Sequence, residues 1–325
     1  MTKPSEANEH GGSQRLSRSR LEAWEELGLG IFLHFGMSTY DGQEISPGTE
    51  PATTYSPDAL DVDSWVRIAA DAGARYAVLT AKHVAGFCLW PSQHTDYHVG
   101  NSGNTTDVVG EFVGSCERHG IMPGLYYCSW DNHHPMGSLT PSMTSWDDAF
   151  TSAAYQEFQA AQLRELAERY PGVGEWWIDI PKVLPRSFRD RIYALLARAT
   201  PEAVIVMNNG IGNGAQLSVA KSWPTDIVTI ERYLPPSQDG HRKMREVEGK
   251  SVYLPGEVCD PVGREWFYDP ADAPRSDEEL LGMYLVTRAR GANLLLDVGP
   301  DTTGRIPQPF ADALRRLGEN VERYS

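Results

Sequence analysis

Eight short apolar runs succeed one another along the chain, and amphipathic stretches separate most of them. The runs are LGIFLHFG from Leu29, Tyr76 to Thr80, IMPGLYYCSW from Ile121, GEWWIDIP from Gly174, AVIVMNN from Ala203, DIVTIERY from Asp226, KSVYLPGEVC from Lys250 and GANLLLDVGP from Gly291. Each has the length of one strand, and several are too continuously apolar to leave a face in water. The stretches between them read as helices with recognisable ends. They cover Ser64 to Ala72 closed by Gly73, a helix after Asp107 stopped by Gly120, Ser152 to Tyr170, Arg189 to Ala199, Glu278 to Arg290, and Pro309 to about Glu322. Such alternation predicts an α/β protein, a (β/α)8 TIM barrel. The spacing around the fifth and sixth runs is too poor in helical pattern for clean helices, so the barrel is expected to be irregular. No composition break or short repeat divides the chain. Residues 19–325 are therefore read as one domain behind a polar, disordered leader over residues 1–18.

A barrel of this kind collects the carboxyl ends of its strands on one face, where distant residues meet. The groups delivered there are His34, His83, Tyr127, Asp179, Asn208, Glu231 and Glu257, with Trp90, Trp130, Trp177 and Trp266 nearby. Glu44 belongs with them, because the connector from Ser38 to Pro57 is long enough to be a functional loop. Aromatic faces pack on the C–H face of sugar rings, and carboxylates and imidazoles hydrogen-bond hydroxyls. A pair of carboxylates is the equipment that cleaves glycosidic bonds. Asp179 stands out: strand alternation puts it on the same face as Trp177, and an Asp inside so apolar a run is costly unless paired or used. A metal triad of His34, His83 and Asp179 is disfavoured, since the first strand lacks an H-x-H pair. No metal or cofactor is expected.

The chain carries a formal charge of −15 at pH 7, with a pI near 5.0. That balance argues against nucleic acid and anionic membranes as partners, and suits a neutral substrate. Cys88, Cys116, Cys128 and Cys259 include no CxxC pair, so a structural zinc site is not expected. The polar N-terminal stretch lacks the apolar core of a secretory signal, and no run approaches a membrane span, which points to the cytoplasm.

The segment TAKHVAGFCLWPSQHTDY, from Thr80 to Tyr97, resembles the signature of the retaining α-L-fucosidases. The resemblance extends from about Trp24 to Gly304 and ends on ANLLLDVGPDTTGRIP, similar to the family's LLLNVGP-x-x-x-G-x-I-P. It implies that Asp179, in its W-x-D context, is the nucleophile and that Glu231 is the acid/base, with Glu257 in LPGEVCD as the rival. It also implies that His34 and His83 hold hydroxyls of a fucosylated carbohydrate, and Glu44, Trp90, Tyr127, Trp177, Glu257 and Trp266 are the further candidates for binding it. The chain departs from the pattern at Val84 and Ala85, where the family usually has His and Asp, and at Gly210, where many members carry Arg. The C-terminal β-sandwich common in the family is not expected. These departures leave open a related barrel glycosidase of different sugar specificity, or a carbohydrate-binding relative without turnover. The aglycone and oligomeric state stay open.

Overall fold

The apolar runs pair with one another as parallel strands in chain order. The computed structural model describes residues 14–137, 150–208, 210, 219–235 and 242–324. Its strands are β1 (Leu29–Leu33), β2 (Tyr76–Lys82), β3 (Met122–Cys128), β4 (Glu175–Asp179), β5 (Val204–Met207), β6 (Val228–Glu231), β7 (Met244–Val247), β8 (Lys250–Tyr253), β9 (Gly256–Pro261) and β10 (Ala292–Asp297). Eight of them form one sheet in the order β5-β4-β3-β2-β1-β10-β9-β6. Every pairing in it is parallel, and the curled sheet is a nearly closed (β/α)8 barrel.

The helices are α1 (Arg18–Glu25), α2 (Met37–Asp41), α3 (Val62–Asp71), α4 (Val108–His119), α5 (Ala153–Arg169), α6 (Arg186–Ala199), α7 (Asp277–Ala289) and α8 (Gln308–Tyr324). Their starts follow local chemistry. Asp61, Asp107, Ser152 and Ser276 each accept a hydrogen bond from a backbone N–H in the first turn, replacing the partners a helix start lacks. Gly120 ends α4 in the left-handed conformation expected of it. The short α2 lies inside the connector read as a loop. Among the described residues no α-helix joins β5 to β6 or β6 to β9, in line with the irregularity read from the sequence. No described helix is long and apolar enough to cross a membrane.

The seventh run differs from its expectation. Lys250–Tyr253 turns back on Met244–Val247 as an antiparallel hairpin, and only Gly256 onward enters the barrel. Glu248 and Gly249, both at positive φ, supply the tight turn that suits a right-handed twist.

The barrel's seam lies between β5 and β6, where no strand ladder forms. Side chains bridge it instead: Asp226 accepts from the Ile205 N–H at 2.8 Å, and Thr225 Oγ1 accepts from the Met207 N–H at 3.1 Å. Arg15 clasps the same place, donating to the Ala203 carbonyl at 2.6 Å and pairing with buried Asp226, which Tyr193 also contacts. This corrects the leader expected over 1–18. Residues 14–18 are docked: Leu16 is buried, and Ser17 caps α1. Residues 1–13 lie outside the described residues. Arg15→Ala leaves Asp226 without its cation in a buried place. The expected loss is about 2 kcal/mol, discounted because the guanidinium is partly exposed, or roughly 3 °C in Tm by calorimetry.

Candidate active site

Asp179 closes β4 and Glu231 closes β6, and both face a recess of about 330 Å³ at the carboxyl ends of the strands. Its walls are Phe32, His34, Glu44, His83, Tyr126, Trp177, Asp179, Asn208, Glu231, Cys259 and Trp266.

Asn208, just past β5, ties the two carboxylates together. Its Nδ2 donates to Asp179 Oδ1 at 2.8 Å and to Glu231 Oε2 at 3.2 Å. The amide's orientation is fixed by its other end, where Oδ1 accepts from Thr229 Oγ1 at 2.6 Å and from the Gly210 N–H at 2.9 Å. One nitrogen bonded to both keeps those two oxygens within about 6 Å of each other, so the two carboxyl groups stand together in the recess. Asp179 also accepts from Tyr126 Oη at 2.6 Å and from the Ile180 N–H at 2.8 Å. Burial, with the charge of Asp179 next, pushes the Glu231 carboxyl up to about 7, against the opposing pull of Asn208 and Arg232. Glu231 thus holds a proton near neutrality beside an Asp179 that accepts from three donors.

Each of these carboxylates is followed by a residue in the left-handed region, Ile180 at φ +48° and Arg232 at φ +59°. A branched side chain avoids that conformation. The sharp turn it makes at the end of β4 is a cost of order 1–3 kcal/mol that the surrounding packing must hold.

Across the recess, His34 Nδ1 lies 2.6 Å from Asp297 Oδ1 at the end of β10. Asp297 is buried with its other oxygen unpartnered, and burial raises its carboxyl to about 6 despite the neighbouring imidazole. His83 packs 5.6 Å from His34 and stacks on Tyr126. Burial, then His34, drives its pKa well below the usual imidazole range, so it is a neutral group. Glu44 reaches the recess from the connector, and burial raises its carboxyl while His34 and Arg232 oppose the rise. Trp266 forms a wall, with the Arg232 guanidinium 4.8 Å over its ring.

The recess therefore gathers Asp179, Glu231, His34, Glu44, His83, Trp177 and Trp266, as the sequence predicted. Three other predicted residues are not in it. Tyr127 faces outward and donates to Gln162 on α5 at 2.7 Å, and its neighbour Tyr126, in register with Trp177, takes the inward place. Alternation within β3 decides between the two, and the sequence alone did not fix its phase. Trp90 donates to Glu165 on α5 at 2.8 Å and belongs to the outer packing. Glu257 is fully buried inside the barrel, accepting from Trp177 Nε1 at 2.9 Å and Tyr76 Oη at 2.8 Å, instead of lying on an exposed loop. Val84 and Ala85 are buried and take no part in the lining, and His133 binds the Gly48 carbonyl and stacks on Tyr97.

Sequence reasoning missed Tyr126 and Asp297. Asp297 had the signal that identified Asp179, an acidic residue ending an otherwise apolar run. Among the described residues no group of three or more His, Cys, Asp or Glu side chains is arranged to hold a metal ion.

Comparison with known proteins finds alpha-L-fucosidases among those that this chain resembles. The family model for alpha-L-fucosidase matches residues 49–325. Alpha-L-fucosidase 1 of Arabidopsis thaliana is 29% identical over 316 residues, covering 94% of this chain and 60% of its own length. The crystal structure of a candidate alpha-L-fucosidase from Bacteroides thetaiotaomicron superposes with a TM-score of 0.80 at 26% identity, over 94% of this chain and 67% of that one. Alpha-L-fucosidase isoenzyme 1 from Paenibacillus thiaminolyticus shares the fold at a TM-score of 0.78 and 23% identity, over 94% and 76%. The chain spans about 60% of the length of the first curated relative it matches. With the matched model covering most of its length, the chain belongs to the alpha-L-fucosidase family.

Proposed function

We propose that this protein is a retaining glycoside hydrolase that releases a terminal α-L-fucose from a fucosylated carbohydrate. The observation that carries the reading is the Asn208 amide bonded to both Asp179 and Glu231, which keeps the carboxylates close enough for a double displacement. An Asp179 oxygen attacks the anomeric carbon as the bond to the leaving oxygen breaks, and Glu231 gives that oxygen its proton. Glu231, now a carboxylate, takes a proton from water. The water oxygen then attacks the same carbon and frees Asp179. His34, His83, Glu44 and Trp266 surround the ring, the imidazoles and Glu44 meeting hydroxyls and Trp266 an apolar face.

The test is hydrolysis of a panel of aryl glycosides, with the anomer of the first sugar released followed by NMR. Turnover of the α-L-fucoside, with the α-anomer as first product, is expected. The β-anomer as first product excludes the double displacement. Turnover of a different glycoside replaces the sugar and keeps the chemistry. A sugar-dependent rise in Tm without any turnover reduces the protein to a binder.

A further inference from the structure

Barrel interiors are ordinarily filled with layers of branched aliphatic side chains. Here the layer beneath the recess contains two carboxyl groups, Glu175 on β4 and Glu257 on β9, both fully buried. Room for them is made by glycine. A Cβ on Gly30 would lie 2.4 Å from the Tyr76 ring, so only glycine lets that ring enter the barrel and reach Glu257. Glu175 accepts from Trp24 Nε1 at 2.9 Å and lies beside Glu257, with which its carboxyl shares a hydrogen bond. Burial, then the nearby Glu257, lifts the Glu175 carboxyl well above its usual range, so it stays neutral. Burial raises the Glu257 carboxyl as well, to about 7, against the pull of Trp177, Tyr76 and Glu175, and each of its two oxygens accepts one of the bonds from Trp177 and Tyr76.

What Glu257 accepts from is the floor of the recess. Trp177 gives it the indole N–H, lines the recess, and stacks on Tyr126 at 5.5 Å between ring centroids and 22° between planes. Tyr126 in turn donates to Asp179. Among the described residues no other group accepts from the indole N–H, and Phe32 meets the ring edge-on at 5.3 Å, a contact that leaves the N–H unaimed.

We propose that Glu257 is a positioning residue for the reaction, fixing the Trp177 indole from below and, through the stacked Tyr126, the carboxylate of Asp179. Glu257 does not touch the sugar and does not exchange a proton with it. Its role rests on the fucosidase reading only for the reaction it serves. The placement of Trp177 is a property of the fold.

The experiment compares Glu257→Gln, Glu257→Leu, Trp177→Phe and Glu257→Leu/Trp177→Phe by near-UV circular dichroism and by kcat/KM on aryl α-L-fucosides with good and poor leaving groups. Glu257→Leu is expected to lower kcat/KM about 100-fold or more, by the same factor for both leaving groups, and to weaken the near-UV band that Trp177→Phe removes. The double variant should lose little beyond the larger single loss, because both changes break one linkage. Glu257→Gln keeps one acceptor and the shape of the side chain. It should fold even where the leucine variant does not, with a smaller but equally leaving-group-independent loss. A loss confined to poor leaving groups would make Glu257 the acid/base, and additive losses or an unchanged band would remove its link to Trp177. Each of those results overturns the proposal. Should the wild type cleave no glycoside, the fucosidase reading falls, and the near-UV band of Glu257→Gln decides the positioning role alone.

Discussion

Asp179→Ala is expected to lower kcat/KM by about four orders of magnitude, or roughly 5 kcal/mol of transition-state stabilisation, with the protein still folded. The size follows from the role: removing a nucleophile removes the reaction path, and only binding and the remaining acid are left. The fold should survive because Asp179 ends its strand at the mouth of the recess, and the ladder of β4 with β3 and β5 does not depend on its side chain. Azide is small enough to enter the space the carboxylate leaves. It should restore part of the rate and yield a glycosyl azide of inverted configuration. A second signature is electrostatic. Because the Asp179 charge helps raise the Glu231 carboxyl to about 7, the alkaline limb of the azide-rescued rate should move to lower pH. Retention of more than a few per cent of activity without azide would remove Asp179 from the nucleophile's place.

The barrel was legible because its signal is long-range and redundant. Eight apolar runs with helical stretches between them admit few topologies, and an error in one run leaves the others in register. The seventh run shows where that logic stops. Lys250 to Tyr253 and Gly256 to Pro261 are equally strand-like, and only the turn at Glu248 and Gly249 separates a hairpin from a barrel strand. In the site, residues whose strand phase was anchored by a costly group were placed correctly, as with Trp177 beside Asp179. Tyr126 and Tyr127 are chemically equal neighbours, so nothing in β3 marked which faces inward. Glu257 misled for another reason. A glutamate after Pro255 and Gly256 reads as exposed, since burying a carboxylate is expensive. What offsets that cost is Trp177 and Tyr76, donors brought from β4 and β2 that no local window contains. The same holds for His34 and Asp297, which are 263 residues apart in sequence.

Glu231 should betray its role through the leaving group and through pH together. In Glu231→Gln, the first step on an activated aryl fucoside needs no protonation and should be nearly unaffected, while a sugar leaving group should lose roughly 10²–10⁴-fold. For the wild type, kcat/KM should fall tenfold per pH unit above about 7, because the group that must carry the proton gives it up there. Stability moves by the same linkage. The folded-state pKa lies above that of an exposed glutamate, so between about pH 4.5 and 7 the folded protein holds a proton that the unfolded chain has lost. Stability therefore declines as pH rises through that window and levels off beyond it, with a contribution of about 2–3 kcal/mol from this residue. Glutamine carries no charge to bury. Glu231→Gln should consequently melt higher than the wild type at pH 8, by roughly 3–5 °C, and show little difference at pH 4.5. Denaturation curves at the two pH values, beside rates on the two leaving groups, test both halves on one variant. A Tm difference that is equal at both pH values would mean that Glu231 titrates as an ordinary exposed carboxylate. The acid's place in the reaction would then have to be filled by another group lining the recess, of which Glu44 is the remaining carboxylate besides Asp179.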